Sequence, residues 1–164
     1  MTADIIKDAL RPLQYVDMNG EIKNLVPEQI LNFDTNNLIG EMQNNPNMYY
    51  LVARLAERKR LEAKDLDTQL DALKGTLYIQ YVQDESLKKF NGGRKPPESM
   101  LTTAIQSDPK YVELSKQRNQ ADYQFRCLNW LTKAIENKAD MMQSISANQR
   151  QQQKMIPQGG FNGG

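Results

Sequence analysis

Lys88, Lys89, Arg94 and Lys95 place four cations within eight residues, with no acid between them. A run of this kind attracts phosphate, and its value grows as more phosphates are neutralised along a strand. The cations surround the stretch Phe90-Asn91-Gly92-Gly93-Arg94-Lys95-Pro96-Pro97. Two glycines followed by two prolines end a helix firmly, because glycine accepts the left-handed cap and proline cannot continue the hydrogen-bond ladder. A helical chain that folds back here carries four positive charges at its tip. Other chemistry is poorly supplied. Histidine is absent, which removes the commonest general base and metal ligand. One cysteine, Cys127, excludes an intrachain disulfide and a cysteine metal cluster, and between Phe125 and Leu128 it reads as a buried, inert thiol. No glycine-rich phosphate loop, metal signature or nucleophile elbow is present. The expectation is a binding protein, not an enzyme, with no cofactor and no metal site.

The elements that position these cations are helical. A first arm is expected from about Pro46 to Phe90, with Leu55, Leu66 and Leu77 spaced by eleven and Leu70, Leu73 and Tyr81 on the same stripe. Such spacing predicts a straight or slightly right-handed pairing. The opposite face holds Arg54, Arg58, Lys59, Arg60 and Lys64 among Glu57, Glu62 and Asp65, and reads as self-paired at i, i+4. Beyond the break, Glu98 to Ile105 reads as a short helix. Asp108 is the expected cap of a second arm beginning at Pro109 and running to about Gln149. Its stripe is Ala121, Leu128, Ile135 and Met142 at intervals of seven, completed by Phe125, Leu131, Ala139 and Ile145. The fold class is therefore mainly α: a long antiparallel, coiled-coil-like helical hairpin with a short helix near the turn. Two arms make a thin core, so self-association is expected. The stretch Leu77-Tyr78-Ile79-Gln80-Tyr81 reads as core before it reads as a base-stacking platform.

Residues 1–45 form an acidic head. Gln14–Met18 and Glu21–Leu25 flank Asn19-Gly20, a dipeptide suited to a two-residue hairpin turn. A short helix is expected from Pro27, and Asp34 is a candidate cap for another carrying Leu38, Ile39 and Met42, stopped by Asn44 and Asn45. Residues 46–149 form the hairpin body with its turn at 90–97. Residues 150–164, rich in glutamine and glycine, form a tail expected to be disordered, where Phe161 reads as part of a plain disordered end before it reads as a group that stacks on a base or docks into a partner.

The 164-residue chain has a formal net charge of +1, unevenly spread. Residues 1–46 hold seven acids against three bases, or −4, and the remainder holds 18 bases against 13 acids, or +5. A mildly basic body binds nucleic acid weakly per chain, so several chains acting together are required; an ordinary solvated surface is the competing reading. No apolar run is long enough to span a membrane. The start, Met1-Thr2-Ala3-Asp4, lacks the features of a signal peptide, so a cytoplasmic protein is expected.

Three segments carry a resemblance. Asp34-Thr35-Asn36-Asn37-Leu38, then Asn44-Asn45-Pro46, then Tyr49-Tyr50 and Leu55, resemble the opening of UvsY-type recombination mediators of T-even-like bacteriophages. Ala72-Leu73-Lys74-Gly75-Thr76-Leu77-Tyr78 is similar to that family's Ala-Leu-Lys-x-Arg-Leu stretch, ahead of a polar, glycine-bearing loop. The run from Met100 through Asp108-Pro109-Lys110-Tyr111 to Leu128 and Ile135 resembles its final long helix. The likeness covers roughly residues 34–148. It implies a homo-oligomeric ring that binds single-stranded DNA and helps replace a single-strand-binding protein with a RecA-like recombinase, in the host cytoplasm if the chain is of phage origin. Lys74 matches the family's DNA-binding lysine, whereas Thr76 stands where its arginine would be. That departure moves the expected DNA contact toward Lys88, Lys89, Arg94 and Lys95. Without DNA affinity, the same chain would be a coiled-coil scaffold, chaperone or adaptor, or a helical hairpin that binds a host protein.

Overall fold

The computed structural model describes residues 10, 13–17 and 19–155. After a short antiparallel pair, β1 (Gln14–Val16) and β2 (Ile22–Asn24), comes the helix α1 (Pro27–Leu31), with proline in its first turn as expected. A 3₁₀ turn at Thr35–Asn37 follows, capped by the Asp34 carboxylate accepting from the Asn36 N–H at 2.8 Å. Two long helices dominate: α2 (Leu38–Gln83, 46 residues) and α5 (Pro109–Met155, 47 residues). Between them lie α3 (Glu85–Phe90) and α4 (Glu98–Ser107). The described residues are thus mainly helical, with two long helices and two short helices between them in the chain. No described helix is long and apolar enough to cross a membrane.

Several boundaries differ from expectation. The β-hairpin forms, but Val16 pairs with Ile22, so its loop is longer than the Asn19-Gly20 pair. Gly20 donates to the Asp17 carbonyl at 3.1 Å and lies at φ +83°, which makes a turn followed by a left-handed glycine. Asp17 stabilises that loop by accepting from the N–H groups of Asn19 and Glu21, each at 2.9 Å. The expected stop at Asn44–Asn45 is absent, and α2 runs through Pro46. Proline removes one helical hydrogen bond and crowds the preceding turn. Packing outweighs that loss: Leu38, Asn45 and Val52, spaced by seven, are all buried on one face, and the Asn45 amide donates to the Ile135 carbonyl at 3.4 Å. Conversely, the first arm does not reach Phe90 as one helix. Asp84 interrupts it and caps α3, accepting from the Ser86 and Leu87 N–H groups at 2.7 and 3.1 Å. Finally, α5 continues to Met155, six residues into the expected tail, because Gln149–Lys154 are good helix formers. The remainder of that tail, with Phe161, lies outside the described residues.

The chain divides into two compact units. One contains the described residues up to Arg54 and those from Cys127 onward, and the other is Leu55–Arg126. The first holds most of the large buried side chains: Leu10, Leu25, Val52, Leu128, Leu131, Ile135 and Met142 are at most 2% exposed. The hairpin and α1 bring Leu25 and Ile30 into this core. Lys138 is buried there and donates to the Ile30 and Asn32 carbonyls at 2.9 and 3.1 Å and to the Glu41 carboxylate at 3.3 Å. It thereby satisfies carbonyls that the end of α1 leaves without helical partners.

In the second unit α2 and α5 run antiparallel, tied by Arg118 donating to both Asp67 carboxylate oxygens at 2.8 and 3.3 Å. The buried apolar side chains are fewer: Ala56, Ala63, Leu77, Leu101, Ile105 and Ala121. The expected leucine stripe is only half covered, with Leu55, Leu66, Leu70 and Leu73 at intermediate exposure and the alanines innermost. Small residues let the two backbones approach and leave the leucines at the rim.

Candidate nucleic-acid interface

The turn between the long helices is built by backbone hydrogen bonds that the glycines make available. Gly92 and Gly93, at φ +65° and +79°, donate to the Lys89 and Lys88 carbonyls at 3.1 and 2.8 Å. These bonds satisfy orphan acceptors at the end of α3, and the conformation suits glycine because a β-carbon would be strained there. Asn91 donates from its side-chain amide to the Lys95 carbonyl at 2.8 Å, which fastens the far side of the loop. Pro96 is buried and anchors the return.

Two tyrosines hold the following helices to the end of α2. The Tyr78 hydroxyl donates to Glu98 at 2.8 Å, and the Tyr81 hydroxyl donates to Asp108 at 2.8 Å. Asp108 also accepts from the Lys110 and Tyr111 N–H groups at 2.8 and 3.4 Å, capping α5 as expected. Both tyrosines are half-buried and their hydroxyls are engaged, so neither the core reading nor the stacking reading describes them; they are clamps. The Tyr81 hydroxyl, followed by the two cap N–H groups, holds the Asp108 carboxyl below the usual carboxylate range. The N–H groups of Leu87 and Ser86 do the same for Asp84.

On this scaffold Lys88, Lys89, Arg94 and Lys95 come together, on the last turn of α3 and the loop that closes on it. Lys88 is half-buried and donates to Glu85 one turn back at 2.8 Å. That pair is a surface bridge of small worth, readily exchanged for another anion. Lys89, Arg94 and Lys95 are exposed and have no carboxylate within ion-pair distance among the described residues. The nearest acids in sequence are already engaged, Glu85 with Lys88, Asp84 as a cap and Glu98 with Tyr78. Lys74 is exposed but stands apart on α2, nine residues before its end, or about 14 Å along the axis. Thr76 bonds back to the Ala72 carbonyl of its own helix at 3.1 Å and offers no charge.

The basic stretch near Arg58 is less available. Arg60 pairs with Glu57 at 2.6 Å and Lys59 with Glu62 at 2.7 Å, both at i, i+3 instead of the expected i, i+4. Sequence reasoning overlooked one residue of the turn. Phe90, the last residue of α3, is 85% exposed. Nothing in the sequence signalled this, because Leu87 stands one turn before Phe90 and could have covered the ring.

No protein-family model, curated protein or solved structure matches this chain.

Proposed function

We propose that this chain is a recombination mediator that binds single-stranded DNA as a homo-oligomer and helps load a RecA-like recombinase in place of single-strand-binding protein. It has no catalytic chemistry of its own and acts in the cytoplasm. The observation that carries the reading is the cationic turn from Lys88 to Lys95, in which Lys89, Arg94 and Lys95 are exposed with no carboxylate at ion-pair distance among the described residues, and whose shape is fixed by its glycine and asparagine hydrogen bonds. The likeness of residues 34–148 to UvsY-type mediators supplies the recombination context. Each subunit contributes a few phosphate contacts, with Lys74 a further cation on α2, and a ring multiplies them along one strand. Nothing in the turn is arranged to read base edges, so sequence preference is slight.

The half-covered leucines of α2 favour self-association, which a coiled-coil scaffold or adaptor would share. Fluorescence anisotropy with a labelled oligonucleotide separates the two. The mediator binds at low salt and loses affinity steeply between about 50 and 200 mM, with a logarithmic slope of about −0.7 per phosphate neutralised. An oligomer that shows no binding at low salt would be the scaffold.

A further inference from the structure

Phe90 is the most exposed large apolar side chain among the described residues, at 85%. It closes α3, and its neighbours in the chain are Lys88 and Lys89 before it and Arg94 and Lys95 after it. Gly92 and Gly93, which follow it in the loop, have nothing within 4 Å of where a β-carbon would be, so the loop beside Phe90 carries no bulk at those positions. The backbone beneath the ring is held, with Asn91 donating its N–H to the Leu87 and Lys88 carbonyls at 3.2 and 3.0 Å. An exposed ring on a fixed backbone, with cations before and after it in the chain, is suited to a planar partner that carries negative charge on either side.

From this we infer that Phe90 stacks on a base of single-stranded nucleic acid while the flanking cations hold the adjoining phosphates. The inference rests on the nucleic-acid reading above and gives it selectivity. Bases of a single strand have free faces, whereas those of a duplex are already stacked on one another. Every base offers a π-face, so stacking of this kind is tolerant of sequence. The chemistry recognised is the unpaired base next to phosphate, common to DNA and RNA.

The test measures anisotropy of wild type, Phe90→Ala and Phe90→Trp on four probes of equal length: oligo(dT), oligo(U), an abasic deoxyribose-phosphate oligomer and a DNA duplex. Wild type prefers oligo(dT) to the abasic strand and the duplex. Phe90→Ala loses roughly 5- to 150-fold in affinity for oligo(dT), binds the abasic strand as wild type does, and keeps its oligomer size. Phe90→Trp retains the preference. Equal affinity for oligo(U) extends the site to both sugars, and weaker affinity restricts it to DNA. If Phe90→Ala binds oligo(dT) as tightly as wild type, the stacking role is wrong while the DNA reading stands. If it weakens the abasic strand equally, Phe90 shapes the loop and does not stack. If wild type binds none of the probes, both readings fall. Phe90-dependent binding to phosphatidylglycerol vesicles, with oligonucleotide affinity unchanged by Phe90→Ala, would assign the ring to a lipid surface and overturn the inference.

Discussion

Asp84 and Asp108 decide how the turn is held. Each caps a helix, and each carboxyl lies below the usual carboxylate range because its ionised form accepts hydrogen bonds, first from Leu87 and Ser86 for Asp84 and first from the Tyr81 hydroxyl for Asp108. A carboxyl with a depressed folded pKa adds stability that is complete above its unfolded value, about 3.9, and is lost as pH falls through the folded value. The turn is therefore expected to loosen on acidification below about pH 4. Thermal melts at pH 7 and pH 3 check this: the wild-type midpoint falls by more than that of an Asp84→Asn/Asp108→Asn double variant, which has no caps left to titrate. Equal falls would show that these carboxylates do not govern the turn. The Asp108 cap was legible in sequence from the Asp-Pro pair; the Asp84 cap was not, because Asp84 lies within an otherwise unbroken helical pattern.

Among the elements, α2 and the loop after α3 put glycine to opposite uses. Gly75 lies in a helix interior with nothing within 4 Å of where a β-carbon would stand, so Gly75→Ala removes only backbone freedom from the unfolded chain. It is expected to stabilise the fold by about 0.5–1 kcal/mol. Gly93, at φ +79°, equally has open space around it, yet Gly93→Ala forces a left-handed alanine and is expected to destabilise by about 1 kcal/mol. Urea unfolding of the two variants, with opposite shifts of midpoint at unchanged slope, tests the pair. The Gly-Gly-Arg-Lys-Pro-Pro break was readable because glycine and proline act through local sterics. The passage of α2 through Pro46 was not, because the burial of that face involves partners far away in the chain, such as Ile135, 90 residues from Asn45. Buried Lys138 was hidden for the same reason: its partners Ile30 and Glu41 are 108 and 97 residues away.

At the scale of the whole molecule, periodicity announced two long helices and the antiparallel return, while the distribution of the core could not be read from it. The apolar stripes of both arms look uniform along the sequence. Yet the large buried side chains concentrate in the unit formed by the head, the start of α2 and the end of α5, and Leu55–Arg126 keeps a thinner, alanine-lined core. That thin unit carries the cationic turn, and leucines of its α2 segment stay half-covered. The candidate site was legible as charge and punctuation, since both are properties of residue type. Its aromatic member was not, because exposure is a property of the fold. The most direct measurement of the central claim is oligonucleotide affinity of a variant carrying Lys88→Glu, Lys89→Glu, Arg94→Glu and Lys95→Glu together, with light scattering to follow assembly. Loss of binding with oligomer size unchanged is the predicted result. Retained binding by that variant, with loss instead on Lys74→Glu alone, would contradict it.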